Sequence, residues 1–228
     1  MPSLTRRFKD FRYRVFYGLF LSRRYPLLEL GNRATGCSWN IFASGLNSDS
    51  VIYSGGVGRD ITFEDSLSQR FGCSVILFDP SPTGLETMRL PENQRPQFKF
   101  DPVALAGRCG RLTLVPPQNP EEGSWFASAG GNDALEVEAV DLATLMQRHG
   151  HAHIDLLKID IEGAEYDVLD HLLTRRLRVR QVAVEFHHSN LPGITRQQTI
   201  RAILKMRAAG YTLIDQDGNN HTFYRAAW

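Results

Sequence analysis

Residues 51–61 read Val51-Ile52-Tyr53-Ser54-Gly55-Gly56-Val57-Gly58-Arg59-Asp60-Ile61. A short apolar run ends in a glycine cluster. An amphipathic stretch from Ile61 to Phe71 follows at once, with Phe63, Leu67 and Phe71 recurring four apart and Gly72 stopping it. That order is a strand, a tight turn and a helix. Gly56 and Gly58 fall in the turn. A turn without side chains lets backbone approach a ligand, beside the free N–H groups of a helix N-terminus. Ordinary tight turns use the same residues, so the glycines alone do not name a ligand.

The same alternation continues along the chain. Ser74 to Phe78 is a fully apolar strand ending at Asp79-Pro80. A strand over Gln97 to Phe100 lies near Val103-Ala104-Leu105, and the turn Arg108-Cys109-Gly110 leads to a strand over Arg111 to Val115. Pro116 to Asp133, rich in Pro, Gly, Ser and Asn, is expected to be a long mobile loop. Helices are expected over Asp141 to His149, Ala164 to Leu173 and Thr199 to Ala209, with strands over Ile154 to Ile161 and Val179 to Phe186. Tyr211 to Ile214 and His221 to Tyr224 flank Asp217-Gly218-Asn219-Asn220, which is a hairpin signal. Continuous apolar strands separated by helices imply a parallel sheet covered on both faces. The expected fold is therefore α/β, a doubly wound Rossmann-like sheet, mostly parallel, with a C-terminal antiparallel hairpin. A plain dinucleotide-binding sheet stays parallel to its end. The methyltransferase form of this sheet closes with an antiparallel strand beside the last parallel one, so the hairpin favours that form.

Bulk properties narrow the classes. A length of 228 residues suits one sizeable domain with a short extension, and a net charge of +1 provides no field to draw the chain onto nucleic acid. Cys37, Cys73 and Cys109 form no CxxC pair and no zinc spacing, which reads as reduced thiols in a cytoplasmic protein. No stretch is apolar for long enough to span a membrane. The N-terminus differs from the rest: Arg6, Arg7, Lys9, Arg12, Arg14, Arg23 and Arg24 face the single acid Asp10 and interleave with Phe8, Phe11, Tyr13, Phe16, Tyr17 and Phe20. Residues 1–49 are expected to be a basic, aromatic helical extension packed on a domain spanning 50–228. Segment 5–24 also suits peripheral contact with an anionic membrane. His149, His151 and His153 alternate before a strand and are expected in a solvated turn.

Asp79 ends the strand after the glycine loop, where a carboxylate can accept hydrogen bonds from both hydroxyls of a ribose. NAD and S-adenosylmethionine both carry a ribose. Ile61 stands where a pyrophosphate-binding loop has its third glycine, which turns the reading away from NAD.

Asp155-Leu156-Leu157-Lys158-Ile159-Asp160-Ile161-Glu162-Gly163-Ala164-Glu165 resembles the signature of the FkbM-type methyltransferase family. Val140-Asp141-Leu142 before it and Val184-Glu185-Phe186-His187 after it are similar to the same pattern, and Gly56 to Glu64 resembles the first motif of one branch. The resemblance covers residues 50–225. It implies a Rossmann-like methyltransferase fold, S-adenosylmethionine as donor, and O-methylation of a sugar, natural product or other small acceptor, including a lipid-linked one. Two positions depart from the class pattern: Ser54 stands where an acid is usual, and Asp60 where a glycine is. Two roles stay open for Asp60, binding the amino group of the methionine moiety or capping the helix that starts at Ile61. The expected donor-binding set is Ser54, Gly55, Gly56, Val57, Gly58, Asp60, Asp79, Pro80, Val103, Ala104 and Asp160.

Ligands bind at the carboxyl ends of the strands in such sheets. Asp160, Glu185 and His187 fall there and form the expected catalytic set. His187 has the intrinsic pKa of a base for a hydroxyl acceptor, with Asp160 orienting it or acting itself; a hydrogen-bonded structural histidine is the other reading. The trio also carries the oxygen and imidazole groups of a divalent-cation site, although its spacing demands no metal. Lys158, inside an apolar strand, needs a carboxylate partner, for which Glu185 on the neighbouring strand is the candidate. Ser124, Trp125, Phe126 and Ser128 would shape the acceptor pocket. Two further readings remain: a non-catalytic binding protein recruited through its basic N-terminus, and an NAD(P)-dependent oxidoreductase.

Overall fold

A computed structural model describes residues 15–117, 119, 123–128, 133–188 and 193–227. After helical residues 15–20 come β1 (Leu27–Asn32), β2 (Cys37–Phe42), β3 (Ile52–Gly55), α1 (Thr62–Phe71), β4 (Val75–Phe78), α2 (Pro82–Arg89), β5 (Phe98–Asp101), β6 (Ala104–Ala106), β7 (Gly110–Val115), β8 (Phe126–Ala127) and β9 (Leu135–Asp141). Then follow α3 (Leu142–His149), β10 (Ile154–Ile159), α4 (Glu165–Thr174), β11 (Val179–Glu185), α5 (Arg196–Ala208), β12 (Thr212–Asp217) and β13 (Asn220–Tyr224).

The main sheet has the order β12-β13-β11-β10-β3-β4-β5. Strands β5, β4, β3, β10 and β11 are parallel. Strand β13 runs antiparallel to both β11 and β12, so the closing hairpin inserts its second strand beside the last parallel one. All four residues of β4 are buried, as a strand covered on both faces requires. Alternation splits β10 between two cores. Leu157 and Ile159 join Val182, Val184 and the inner residues of α3, α4 and α5 on one face, such as Leu145, Val168 and Ile203. Leu156 joins Ile52, Ala183, Phe63 and Leu67 on the other.

The second face is completed by the N-terminal segment, and here the expectation of a helical extension over residues 1–49 needs correction. Strands β1 and β2 form an antiparallel hairpin, turned through Gly36 at φ 81°. Trp39 and Ile41 point inward two residues apart, the period of a strand rather than a helix. The Gln181 side chain bonds both the N–H and the carbonyl of Phe42, and the Thr222 hydroxyl donates to Asn40 O at 2.6 Å. The hairpin is thus tied to the main sheet. Phe16, Tyr17 and Leu21 pack against the first core. Residues 5–14 of the basic segment lie outside the described residues.

A second sheet, in the order β6-β9-β7-β8, sits beside the first. Strand β9, not anticipated from sequence, shows Val137 and Ala139 inward with Glu136 and Glu138 outward. Part of the expected loop, Phe126–Ala127, pairs with β7; residues 118, 120–122 and 129–132 of that loop are outside the described set. Of the histidines before β10, His149 departs from a solvated turn. The His149 side chain is 6% exposed and packs edge-on against Tyr53 and Phe78, while the Tyr53 hydroxyl bonds His151 Nδ1 at 3.0 Å. The tyrosine of the adjacent strand reaches under these two and shields the His149 ring, while the His153 side chain stays 41% exposed.

Candidate active site

The glycine loop leaves β3 at Gly55 and turns sharply. Gly56, at φ 85°, donates its N–H to Phe78 O at 2.9 Å. A Cβ at this position would collide with the carbonyl oxygen of Asp160, so only glycine lets the loop pass this close to the end of β10. Gly58, at φ 56°, has open space where its Cβ would be and lines the cleft. Asp79 braces the turn from the end of β4: Oδ2 accepts from the N–H of Val57 at 2.9 Å and Gly58 at 3.1 Å, and Oδ1 from Ser81 at 2.8 Å. A carboxylate has about four lone-pair sites. Three are occupied, leaving about one acceptor position for a ligand hydroxyl rather than the two expected from sequence. Asp60 accepts from the Thr62 N–H at 2.7 Å and the Thr35 hydroxyl at 2.5 Å, holding the start of α1.

The loop opens into a cleft of about 1170 Å³, at or above the upper end of the ~300–1,000 Å³ usual for ligand sites. Of the expected donor-binding residues, Gly56, Val57, Gly58, Asp60, Asp79, Pro80, Ala104 and Asp160 line it. Ser54, Gly55 and Val103 do not. Ser54 is buried and gives its hydroxyl to Glu64 Oε1 at 2.5 Å. Gly55 is closed off by the side chains of Leu105 and Ile161, and Val103 belongs to the core with Phe78. Glu64, 2% exposed, therefore brings an acid to the strand position where Ser54 replaces one. It lines the cleft and comes from α1, so no spacing within β3 announces it. The small sheet and its loop supply one wall through Leu112, Leu114, Ser124, Trp125 and Phe126; Ser128 is not part of it.

The floor of the cleft holds Asp160, Glu185 and His187 together, at the carboxyl ends of β10 and β11. His187 is 4% exposed, and its Nδ1 donates to Glu165 Oε1 at 2.7 Å. The fully buried Glu165, on the first turn of α4, is therefore the residue that orients the ring. Asp160 is not, since its nearest oxygen lies 3.7 Å from the other nitrogen, Nε2. Glu162 Oε2 lies 3.3 Å from that same nitrogen. Lys158 does find a carboxylate, but it is Asp160 Oδ2 at 3.6 Å, and its Nζ also donates to Gly56 O at 2.6 Å. The register pairs Lys158 with Ala183, which leaves Glu185 one pleat repeat further along β11.

The profile of the methyltransferase FkbM domain matches residues 54–213, well over half of the chain. The chain belongs to the FkbM methyltransferase domain family. The matched span of this FkbM domain begins at the glycine loop and contains Asp79, Glu64 and the whole floor, while β1 and β2 lie outside it. Among solved structures, the chain is similar to precorrin-6y C5,15-methyltransferase from Geobacter metallireducens, at 12% identity and TM-score 0.44 over 79% of this chain and 84% of that one. It is also similar to the Methanococcus jannaschii fibrillarin pre-rRNA processing protein, at 9% identity and TM-score 0.43 over 78% and 66%. A third is M. jannaschii TYW2 in complex with AdoMet, at 10% identity and TM-score 0.36 over 90% and 89%. No curated protein matches.

Charge is unevenly placed in the FkbM domain's cleft. Burial alone would lower the pKa of His187, but the hydrogen bond and charge of Glu165, with Glu162 and Asp160, raise it to about 9. Burial, then the charge of Asp160, raises Glu185 to about 7. Lys158 is raised despite its burial, because Asp160 and Glu64 favour the ammonium. Burial would raise Asp60 too, yet the hydrogen bonds from Thr35 and Thr62 hold it below the usual carboxylate range.

Proposed function

We propose that this FkbM domain uses S-adenosylmethionine to methylate a hydroxyl of a small acceptor, a sugar, natural product or lipid-linked molecule. The observation that carries the reading is the meeting, in one cleft, of a side-chain-free glycine loop, the ribose-competent Asp79 and a floor of acids. The donor fits what is there. Gly58 leaves open space for close approach, one lone pair of Asp79 is free for a ribose hydroxyl, and Glu64, Asp60 and Asp160 offer negative charge to a cationic donor. Gly56, Val57, Pro80 and Ala104 would line the same donor. Ile61, in the second core where a pyrophosphate loop has its third glycine, supports this donor over NAD.

When bound, S-adenosylmethionine supplies an already activated methyl on a sulfonium sulfur. The protein's work is then mainly alignment. The glycine loop and Asp79 hold the donor side. Trp125 and Phe126 cover the acceptor side. Asp160, Glu185 and His187 form the floor that receives the acceptor hydroxyl; Glu185, raised to about 7, can take its proton, while His187, raised to about 9, is charged at neutral pH and offers positive charge to the oxygen.

Calorimetric titration of the full chain with S-adenosylmethionine and, separately, with NAD tests the donor. The expected result is binding of the first and none of the second, with Asp79→Asn weakening it about tenfold or more through the lost ribose contact. NAD binding without a response to S-adenosylmethionine overturns the reading.

The protein is placed in the cytoplasm, in keeping with free Cys37, Cys73 and Cys109. Among the described residues no helix is long and apolar enough to cross a membrane. Peripheral membrane contact through residues 5–24 is supported by Val15 and Leu19, exposed on residues 15–20 ahead of Arg23 and Arg24. Liposome flotation with and without residues 1–24 tests it.

A further inference from the structure

We propose that Asp160, Glu185 and His187 form a binding site for one divalent cation of the Mn²⁺ class. Each offers one ligand atom, and these atoms all lie within 4.8 Å of one another at the cleft floor. Carboxylate oxygens with one imidazole suit a hard-to-borderline first-row cation and leave coordination positions open to the cleft.

Acids crowd many protein surfaces without binding metal, so the decisive observation is a different one. His187 is more than nine-tenths buried, and its Nε2 points into the carboxylates of the floor, 3.3 Å from Glu162 Oε2 and 3.7 Å from Asp160 Oδ1. Buried polar groups are nearly always satisfied. An imidazole nitrogen buried among carboxylates is satisfied by a proton or by a cation in the proton's place, and Asp160 and Glu185 stand where they would complete the cation's set.

The outer contacts fit as well. Glu165 accepts the hydrogen bond of His187 Nδ1–H, which leaves Nε2 as the ligand atom and raises its basicity, the arrangement usual around metal-binding histidines. Among the described residues at the floor, four carboxylates, Asp160, Glu162, Glu165 and Glu185, share the region with the ammonium of Lys158 once His187 exchanges its Nε2 proton for a cation. A dication would offset the excess. Glu162 sits at φ 53°, a left-handed conformation that costs a non-glycine residue energy, and this turn places its carboxylate 3.3 Å from Nε2. Such strain persists where the surroundings enforce it, frequently at functional sites.

The role of the cation, holding acceptor oxygens and promoting loss of their proton, rests on the methyl-transfer reading. Its binding does not, and the test uses binding alone. The full chain, freed of metal with a chelator, is titrated with MnCl₂ and followed by the electron paramagnetic resonance of free Mn²⁺. One equivalent should bind. The near-isosteric Glu185→Gln and His187→Gln should each weaken binding by about tenfold or more, with circular dichroism unchanged. A folded wild-type chain that leaves millimolar Mn²⁺ free overturns the site, as does binding that neither substitution weakens. S-adenosylmethionine binding without Mn²⁺ binding removes this inference and leaves the donor reading standing. Mn²⁺ binding without a response to S-adenosylmethionine does the reverse.

Discussion

Lys158 reaches out of the central strand β10 and donates from Nζ to the carbonyl oxygen of Gly56 at 2.6 Å. Its ammonium lies 3.6 Å from Asp160 Oδ2 and 5.7 Å from the ring centre of Trp39, with Glu64 close enough to favour its charge. One buried cation thus ties the glycine loop to the strand that carries Asp160 on the cleft floor.

Replacing that cation should damage both partners. Lys158→Met keeps most of the packing volume but leaves Asp160 and Glu64 without their counter-charge and Gly56 O without its donor. Removing one partner of a buried pair costs about 3–5 kcal/mol. Urea unfolding should show a loss of that order, and titration should show S-adenosylmethionine affinity falling about tenfold or more in whatever fraction stays folded. Unchanged values for both would show that the lysine neither stabilises the fold nor sets the loop.

The two loop glycines should respond differently to the same substitution. Gly56→Ala drives a methyl into backbone at Asp160, on top of left-handed strain. It should cost about 3 kcal/mol or more and leave little folded protein. Gly58→Ala meets open space and should cost only about 1–2 kcal/mol of left-handed strain. Its methyl projects into the cleft, so the variant should fold and lose donor affinity. Thermal unfolding and titration of the pair check this contrast; equal stability for both would contradict the loop geometry.

His221 should make the fold sensitive to acid. The ring is fully buried; Nδ1 donates to Asn219 O at 2.7 Å, which leaves Nε2 to accept from the Tyr17 hydroxyl at 2.7 Å. Burial lowers its pKa from 6.5 to about 4. The folded state therefore refuses a proton that the unfolded chain takes up. The stabilisation is present above pH 6.5 and is lost as pH falls toward 4, amounting to about 3 kcal/mol over that window. His221→Gln has no proton to gain. Urea midpoints at several pH values should fall less steeply with acid for the variant than for wild type, and parallel slopes would rule the histidine out as the source.

Much of the main sheet could be read locally. Runs such as Val75-Ile76-Leu77-Phe78 carry their two-sided burial in their composition, and the Asp217-Gly218 turn marks the closing hairpin. Strand β9 was equally readable in principle, since Val137 and Ala139 alternate with Glu136 and Glu138. Its signal is short beside the stronger helix pattern of Leu142 to His149. Hairpin β1–β2 was harder, because aromatic and basic residues around it resemble an amphipathic helix until Trp39 and Ile41 are seen to face one core.

The sequence by itself determined the strand-loop-helix at Ser54 to Asp60, the α/β class, and the grouping of Asp160, Glu185 and His187 at strand ends. These follow from periods of two and 3.6 and from the rule that parallel sheets bind ligands at their carboxyl edge. Only the tertiary structure decided the partners: Glu165 rather than Asp160 for His187, Asp160 and Gly56 rather than Glu185 for Lys158, and Glu64 for Ser54. Side-chain partnership depends on strand register and on how a helix lies against its sheet. Those are set by packing across the whole chain, and no local spacing encodes them.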